Sequence, residues 1–139
     1  MEAGYSKYLT FRAAGQDLAA AATVVRGIIP PGEILLLDRL PRGVLGLAHY
    51  RGGMLAVIDL AEVLHIKPYP EKTPRKLVVV EAANGTLAGC LSEKVCDVLE
   101  YHARDHREGF LHGQGRRRRL IDFDQLIARI DLTCLAHNV

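Results

Sequence analysis

Residues 8–13 alternate strictly, with Leu9, Phe11 and Ala13 on one side of an extended chain and Tyr8, Thr10 and Arg12 on the other. That two-residue period predicts a half-buried strand. Ala14-Gly15-Gln16-Asp17 supplies a turn. The alanine-rich stretch 18–22 is helical by propensity alone, but it follows a turn and runs directly into Thr23-Val24-Val25, so it reads as a return strand. Pro30-Pro31-Gly32 stops any regular element, and residues 34–37 resume an extended apolar run. From Val44 to Ile58 apolar residues occupy both parities around Arg51-Gly52-Gly53, which predicts two buried strands joined by a glycine turn where Gly52 and Gly53 permit positive φ. Asp59 with Glu62 three residues on has the form of a capping box, so a short helix begins there with Leu60, Val63 and Leu64 on one face.

Pro68, Pro70 and Pro74, set among charged residues over 67–76, mark a linker. Beyond it, residues 77–80, Asn84-Gly85 and residues 86–91 form the strongest hairpin signal in the chain, because Asn-Gly suits the two positive φ angles of a type I′ turn. Asp122 and Gln125 repeat the capping-box spacing, and Phe123, Leu126, Ile127 and Ile130 line one face of a final helix.

These elements occur twice. Gly46, His49, Gly52, Ile58 and Asp59 recur 63 positions on, without a gap, as Gly109, His112, Gly115, Ile121 and Asp122. Matching the turns at Ala14-Gly15 and Asn84-Gly85 by an offset of 70 also sets Leu9 against Val79 and Val25 against Val95. The duplication predicts two similar subdomains, with about seven fewer residues in the second connection.

With 139 residues, 49% hydrophobic and 24% charged, the chain is ordinary for a globular protein able to bury its own core. A formal charge of +2 does not argue for a nucleic-acid partner. No apolar run approaches the roughly 18 residues needed to cross a bilayer, and a secretory leader is not evident, so a cytoplasmic protein is expected. Cys90, Cys96 and Cys134 form an odd set without a CxxC pair, which suggests buried free thiols rather than disulfides or zinc.

Candidate chemistry is sparse. His49 and His112 sit at equivalent positions, but neither has a second His or Cys at a ligand spacing, and duplication accounts for the pair. His102 and His106 are spaced for one helical face but lack the HExxH pattern, so a solvated segment is the plainer reading. Arg116, Arg117, Arg118 and Arg119 could clamp phosphates of RNA or another polyanion. If they form a strand, however, Arg117 and Arg119 point opposite to Arg116 and Arg118; one pair then reaches solvent while the other snorkels or meets carboxylates. Nucleophile-elbow and phosphate-loop motifs are missing, so the sequence points to a binding surface and not to catalysis.

The run Gly43-Val44-Leu45-Gly46-Leu47-Ala48-His49-Tyr50-Arg51-Gly52-Gly53-Met54-Leu55-Ala56-Val57-Ile58-Asp59-Leu60 resembles the signature of the CheW-like family, the coupling proteins of bacterial chemosensory arrays. The family's usual form is G-x-x-N-x-R-G, several apolar residues, then V/I-D-L. The opening Tyr8-Leu9-Thr10-Phe11 strand, Val25 and the hairpin of residues 77–91 fall in matching order, so the likeness covers nearly the whole chain. It implies a mainly β fold of two packed SH3-like five-stranded β-barrel subdomains with short helices, the first over about residues 5–68 and the second over about 75–139, an arrangement that allows strands to be exchanged between them.

The resemblance further implies a noncatalytic adaptor, without cofactor or metal, that joins the cytoplasmic tip of a chemoreceptor to the regulatory domain of a CheA-type histidine kinase. Its protein-binding residues would be Val25, Gly27, Val44, Leu47, Arg51 and Gly52, beside the junction of the barrels. Two departures stand out: Gly27 replaces a usually acidic residue, and His49 replaces the common Asn, which bears on partner choice. A purely structural alternative for Arg51 is that it ties its hairpin to a neighbouring carbonyl.

Overall fold

The computed structural model describes residues 4–66 and 75–130. The proline-rich linker therefore lies, apart from Arg75 and Lys76, outside the described residues. Strands β1 (Tyr5–Ala13) and β2 (Gln16–Ala21) form the first hairpin, so the alanine-rich stretch is extended through Ala21, as its position after a turn predicts, but a 3₁₀ turn over Ala22–Val24 separates it from Val25. Then come β3 (Val25–Ile29), β4 (Val44–Tyr50), β5 (Gly53–Ile58) and the single turn of helix α1 (Leu60–Val63). The second half contributes β6 (Lys76–Glu81), β7 (Leu87–Ser92), β8 (Lys94–His102), β9 (His106–Arg107), β10 (Phe110–Gly113), β11 (Arg116–Leu120) and α2 (Phe123–Arg129).

The strands make two sheets, in the orders β8-β1-β2-β11-β10-β9 and β3-β6-β7-β5-β4. Each half of the sequence gives one hairpin to the other half's sheet. The exchange leaves one parallel pairing in each sheet, β5 with β7 and β11 with β2. These pairings correspond through the repeat, since Ala56 meets Ala88 where Arg119 meets Leu18. Asp59 and Asp122 both cap their helices, accepting from the amides of Glu62 at 3.3 Å and Gln125 at 3.1 Å.

One detail of the repeat needs correction. Asn84-Gly85 does not form a type I′ turn: Gly85 has φ +89°, but Asn84 is not left-handed. Ala82 pairs with Thr86 through a three-residue loop in which the Gly85 amide donates to the Ala82 carbonyl, a type I turn with a glycine bulge. The two-residue turn with both φ positive lies instead at Ala14 (51°) and Gly15 (74°). Arg12, which bonds the Gly15 carbonyl and Asp17, and Glu93, which accepts from the Gly15 amide, hold it in place. The extra loop residue puts β1 and β6 one step out of the 70-residue alignment. Phe11 accordingly corresponds to Val80 and Leu9 to Val78, all facing one core, whereas Val79 faces another.

Three apolar clusters result. Ala48, Leu55, Val57, Leu77 and Val79 fill one barrel. Ala19, Tyr101 and Leu111, with Tyr8, Leu99 and Leu120 against them, fill the other. The largest cluster lies between the barrels, joining Leu9, Phe11, Leu18, Val44, Leu47, Ile58, Val78, Val80, Ile121, Phe123 and Ile127. The alternation of each strand thus serves two cores: one face lines a barrel and the other seals the barrels together.

Candidate interaction site

The β4–β5 hairpin turns at Arg51 (φ 50°) and Gly52 (φ 79°), a two-residue turn whose twist matches the flanking strands. Arg51 takes the left-handed conformation although it has a Cβ, and the Tyr50 and Gly53 pairing on either side over-determines it. Its guanidinium carbon lies 5.3 Å from the centroid of the Tyr50 ring, within cation–π range. Among the described residues the Arg51 side chain makes no salt bridge and donates to no neighbouring carbonyl. It stands exposed on an aromatic base, with its five donors available to another molecule.

Gly27 faces the same tyrosine. A Cβ built on Gly27 would sit 3.5 Å from the Tyr50 hydroxyl oxygen. Since β3 and β4 are the two edges of their sheet, the Tyr50 ring reaches from one edge to the other and sets Gly27 against the residue that precedes the Arg51 turn. Beside it on β3, Ile28 is an exposed apolar side chain. Sequence reasoning missed Tyr50 and Ile28; an aromatic residue directly preceding the turn was the available signal.

The other expected residues lie deeper. Val44 and Leu47 are buried in the core between the barrels, and Val25 is half-buried against it. Leu47 exchanges two backbone hydrogen bonds with Leu35, at 2.8 and 2.9 Å, which straps the connecting segment over β4. Gly46 permits that strap. The structure therefore brings Gly27, Tyr50, Arg51 and Gly52 together at the surface and uses Val25, Val44 and Leu47 to support them.

Arg116, Arg117, Arg118 and Arg119 form β11, and they divide between two faces. Arg118 enters the second barrel and donates to the Tyr101 hydroxyl at 2.6 Å, so its buried partner is a phenol and not a carboxylate. Arg117 lies over the Phe110 ring at 4.4 Å. Residues 102–106 pass from strand to a single 3₁₀ turn and back to strand, so His102 and His106 share no α-helical face. His102 Nδ1 instead accepts from the Arg104 amide as a cap. Among the described residues no His, Cys, Asp and Glu group could hold a metal ion. Cys90 is buried as expected, whereas Cys96 is exposed on β8, contrary to the reading of all three as buried thiols. Cys134 lies outside the described residues.

The model of the CheW-like domain matches residues 7–130. The chain belongs to the CheW-like family. Among relatives, it is 29% identical over 96 residues to the probable chemotaxis protein CheW of Rhizobium etli, covering 69% of this chain and 61% of that protein. It is 28% identical over 102 residues to the chemotaxis protein CheW of Rhizobium meliloti, covering 73% and 65%. The chain thus spans less than two thirds of the length of both. The scaffolding protein TtCheW from Thermoanaerobacter tengcongensis superposes with a TM-score of 0.77 over 87% of this chain and 86% of that one, at 19% identity. That likeness establishes the CheW-like fold of two SH3-like subdomains. Within this CheW-like domain, no helix among the described residues is long and apolar enough to cross a membrane.

Proposed function

We propose that this CheW-like domain is a noncatalytic adaptor that couples chemoreceptor cytoplasmic tips to the regulatory domain of a CheA-type histidine kinase. Family membership supports the class of function, and the observation that carries the site is the exposed Arg51 guanidinium held over Tyr50 beside Gly27. An arginine on an aromatic platform, desolvated when a partner covers it, is the kind of group that dominates binding energy at protein interfaces, with neighbouring apolar surface such as Ile28 then excluding water around it. In this reading Val25, Val44 and Leu47 set the position of the surface, while Gly27, Tyr50, Arg51 and Gly52 present it.

The test is a titration of the purified domain with a receptor cytoplasmic tip and, separately, with a CheA regulatory domain from the same genome. Arg51→Ala should weaken receptor-tip binding by at least about tenfold, as expected of an interface anchor, and leave the thermal midpoint nearly unchanged because the side chain is exposed. Unchanged affinity would remove Arg51 from the site. Failure of both partners to bind the unsubstituted domain would overturn the adaptor reading itself.

A further inference from the structure

Among the described residues, the duplicated architecture leaves partly exposed in the second barrel a face that the first barrel buries. On β4 and β5, Leu47 and Ala56 are cross-strand partners buried in the core between the barrels, and Met54 packs against the same core. The repeat places Phe110, Arg119 and Arg117 at these three positions, with Phe110 and Arg119 again paired across the ladder. Here the described chain covers the face only in part: Phe110 and Arg119 are half-buried and Arg117 is exposed. β9 adds Arg107 opposite Phe110. Arg107, Phe110 and Arg119 thus form one row across three strands, and His112 with Arg117 forms the next.

The alternation that divides the arginine run also builds this surface. Arg117 and Arg119 share a face, and Arg107 and His112 extend it from other strands, an association that the linear run does not reveal. Among the described residues none of Arg107, Arg117 and Arg119 makes a salt bridge. Three guanidinium groups around one aromatic ring, at a position whose counterpart is an internal packing face, make a surface shaped for a partner and charged for an acidic one.

The geometry points to this face of β9, β10 and β11 as the docking surface for an acidic segment of a partner polypeptide, whose carboxylates pair with Arg107, Arg117 and Arg119 around Phe110. Arginine and carboxylate match in geometry as well as charge, through paired N–H donors. A nucleic acid fits less well. Arg117 already lies over the Phe110 ring at 4.4 Å, on a face that a base would need for stacking. Three strands span only about 10 Å, too few phosphates for strong polyanion binding, and the chain carries just +2 overall. This surface is in the second barrel, and its assignment does not depend on the receptor site at Arg51.

The experiment measures fluorescence anisotropy of a short fluorescein-labelled oligoglutamate peptide at low salt, with a single-stranded oligonucleotide of equal length in a parallel arm. The peptide should bind the unsubstituted domain. Arg117→Glu should weaken it by at least about tenfold, through lost attraction and added repulsion, whereas Arg116→Glu, the same charge change on the opposite face, should cost less than about twofold. Arg107→Glu should repeat the larger loss and replaces Arg117→Glu should that variant fail to fold. The proposal is overturned by no peptide binding at low salt, by equal losses from Arg116→Glu and Arg117→Glu, or by tighter oligonucleotide binding with the same dependence on Arg117.

Discussion

Inside the second barrel, Arg118 donates to the Tyr101 hydroxyl at 2.6 Å, where the first barrel carries Leu55 at the repeat position of the arginine. The pair follows from having a charged residue inside a closed sheet: burying the guanidinium without an acceptor would cost more than the bond returns. Tyr101→Phe should therefore destabilise the domain by about 1–3 kcal/mol, because Arg118 then lacks its partner. The double variant Arg118→Leu with Tyr101→Phe copies the apolar interior of the first barrel and should lose less than the sum of the two single changes. Urea unfolding of all four proteins measures the coupling; strict additivity would sink the account.

Gly46 and Gly109 correspond in the repeat but are required for different reasons. A Cβ on Gly46 would meet the Leu35 carbonyl oxygen at 2.5 Å and Ile34 Cγ2 at 2.7 Å, so Gly46→Ala should force the strap away and cost about 1–3 kcal/mol. Gly109 faces open space at φ +82°, and Gly109→Ala should cost about 1 kcal/mol from backbone strain alone. Amide hydrogen exchange separates the causes. Gly46→Ala should accelerate exchange at Leu35 and Leu47, and Gly109→Ala should leave both protected.

Burial pushes the Cys90 thiol from 9.0 up to about 12 by disfavouring its thiolate. The unfolded chain ionises this group first, so its contribution to stability is complete below pH 9 and is lost as pH rises from 9 towards 12. Cys90→Ala should flatten that part of the stability profile. In a Cys134→Ser background at pH 8, a thiol reagent should label the exposed Cys96 rapidly and Cys90 only on unfolding; equal rates would contradict the burial.

At Gly27 the backbone does not require glycine, since its φ lies outside the left-handed region and a Cβ would make an ordinary 3.5 Å contact with Tyr50. Gly27→Glu should fold with stability equal to or up to about 1 kcal/mol above the parent. If the proposed receptor surface is right, the new carboxylate beside Arg51 should change the relative affinities for two receptor tips of different charge. Identical ratios before and after would exclude Gly27 from partner choice.

Much of this fold was legible in local pattern. Alternation marked β1, continuous apolar runs around a glycine turn marked β4 and β5, Asn84-Gly85 between apolar runs marked the 77–91 hairpin, the Asp59 and Asp122 spacings marked both caps, and the 63-residue echo marked the doubling, all patterns read directly from the order of residues. The turn at Asn84-Gly85 was misread since the dipeptide's preference is the same in either loop, while the loop's extra residue changes which angles are adopted. Likewise Val44 and Leu47 matched a binding motif, yet only their burial between the barrels separates support from contact.

By itself the sequence determined that the chain folds as two like β modules with capped helical turns, since period, turn chemistry and capping act over a few residues. Tertiary structure alone decided which hairpins cross between the sheets, that Gly27 meets Tyr50 across the first barrel, and that Arg107 joins Arg117 and Arg119 on one face. These relationships arise from strand pairing between distant segments, and a strand's own alternation specifies which side faces a core without naming the neighbour on its edge.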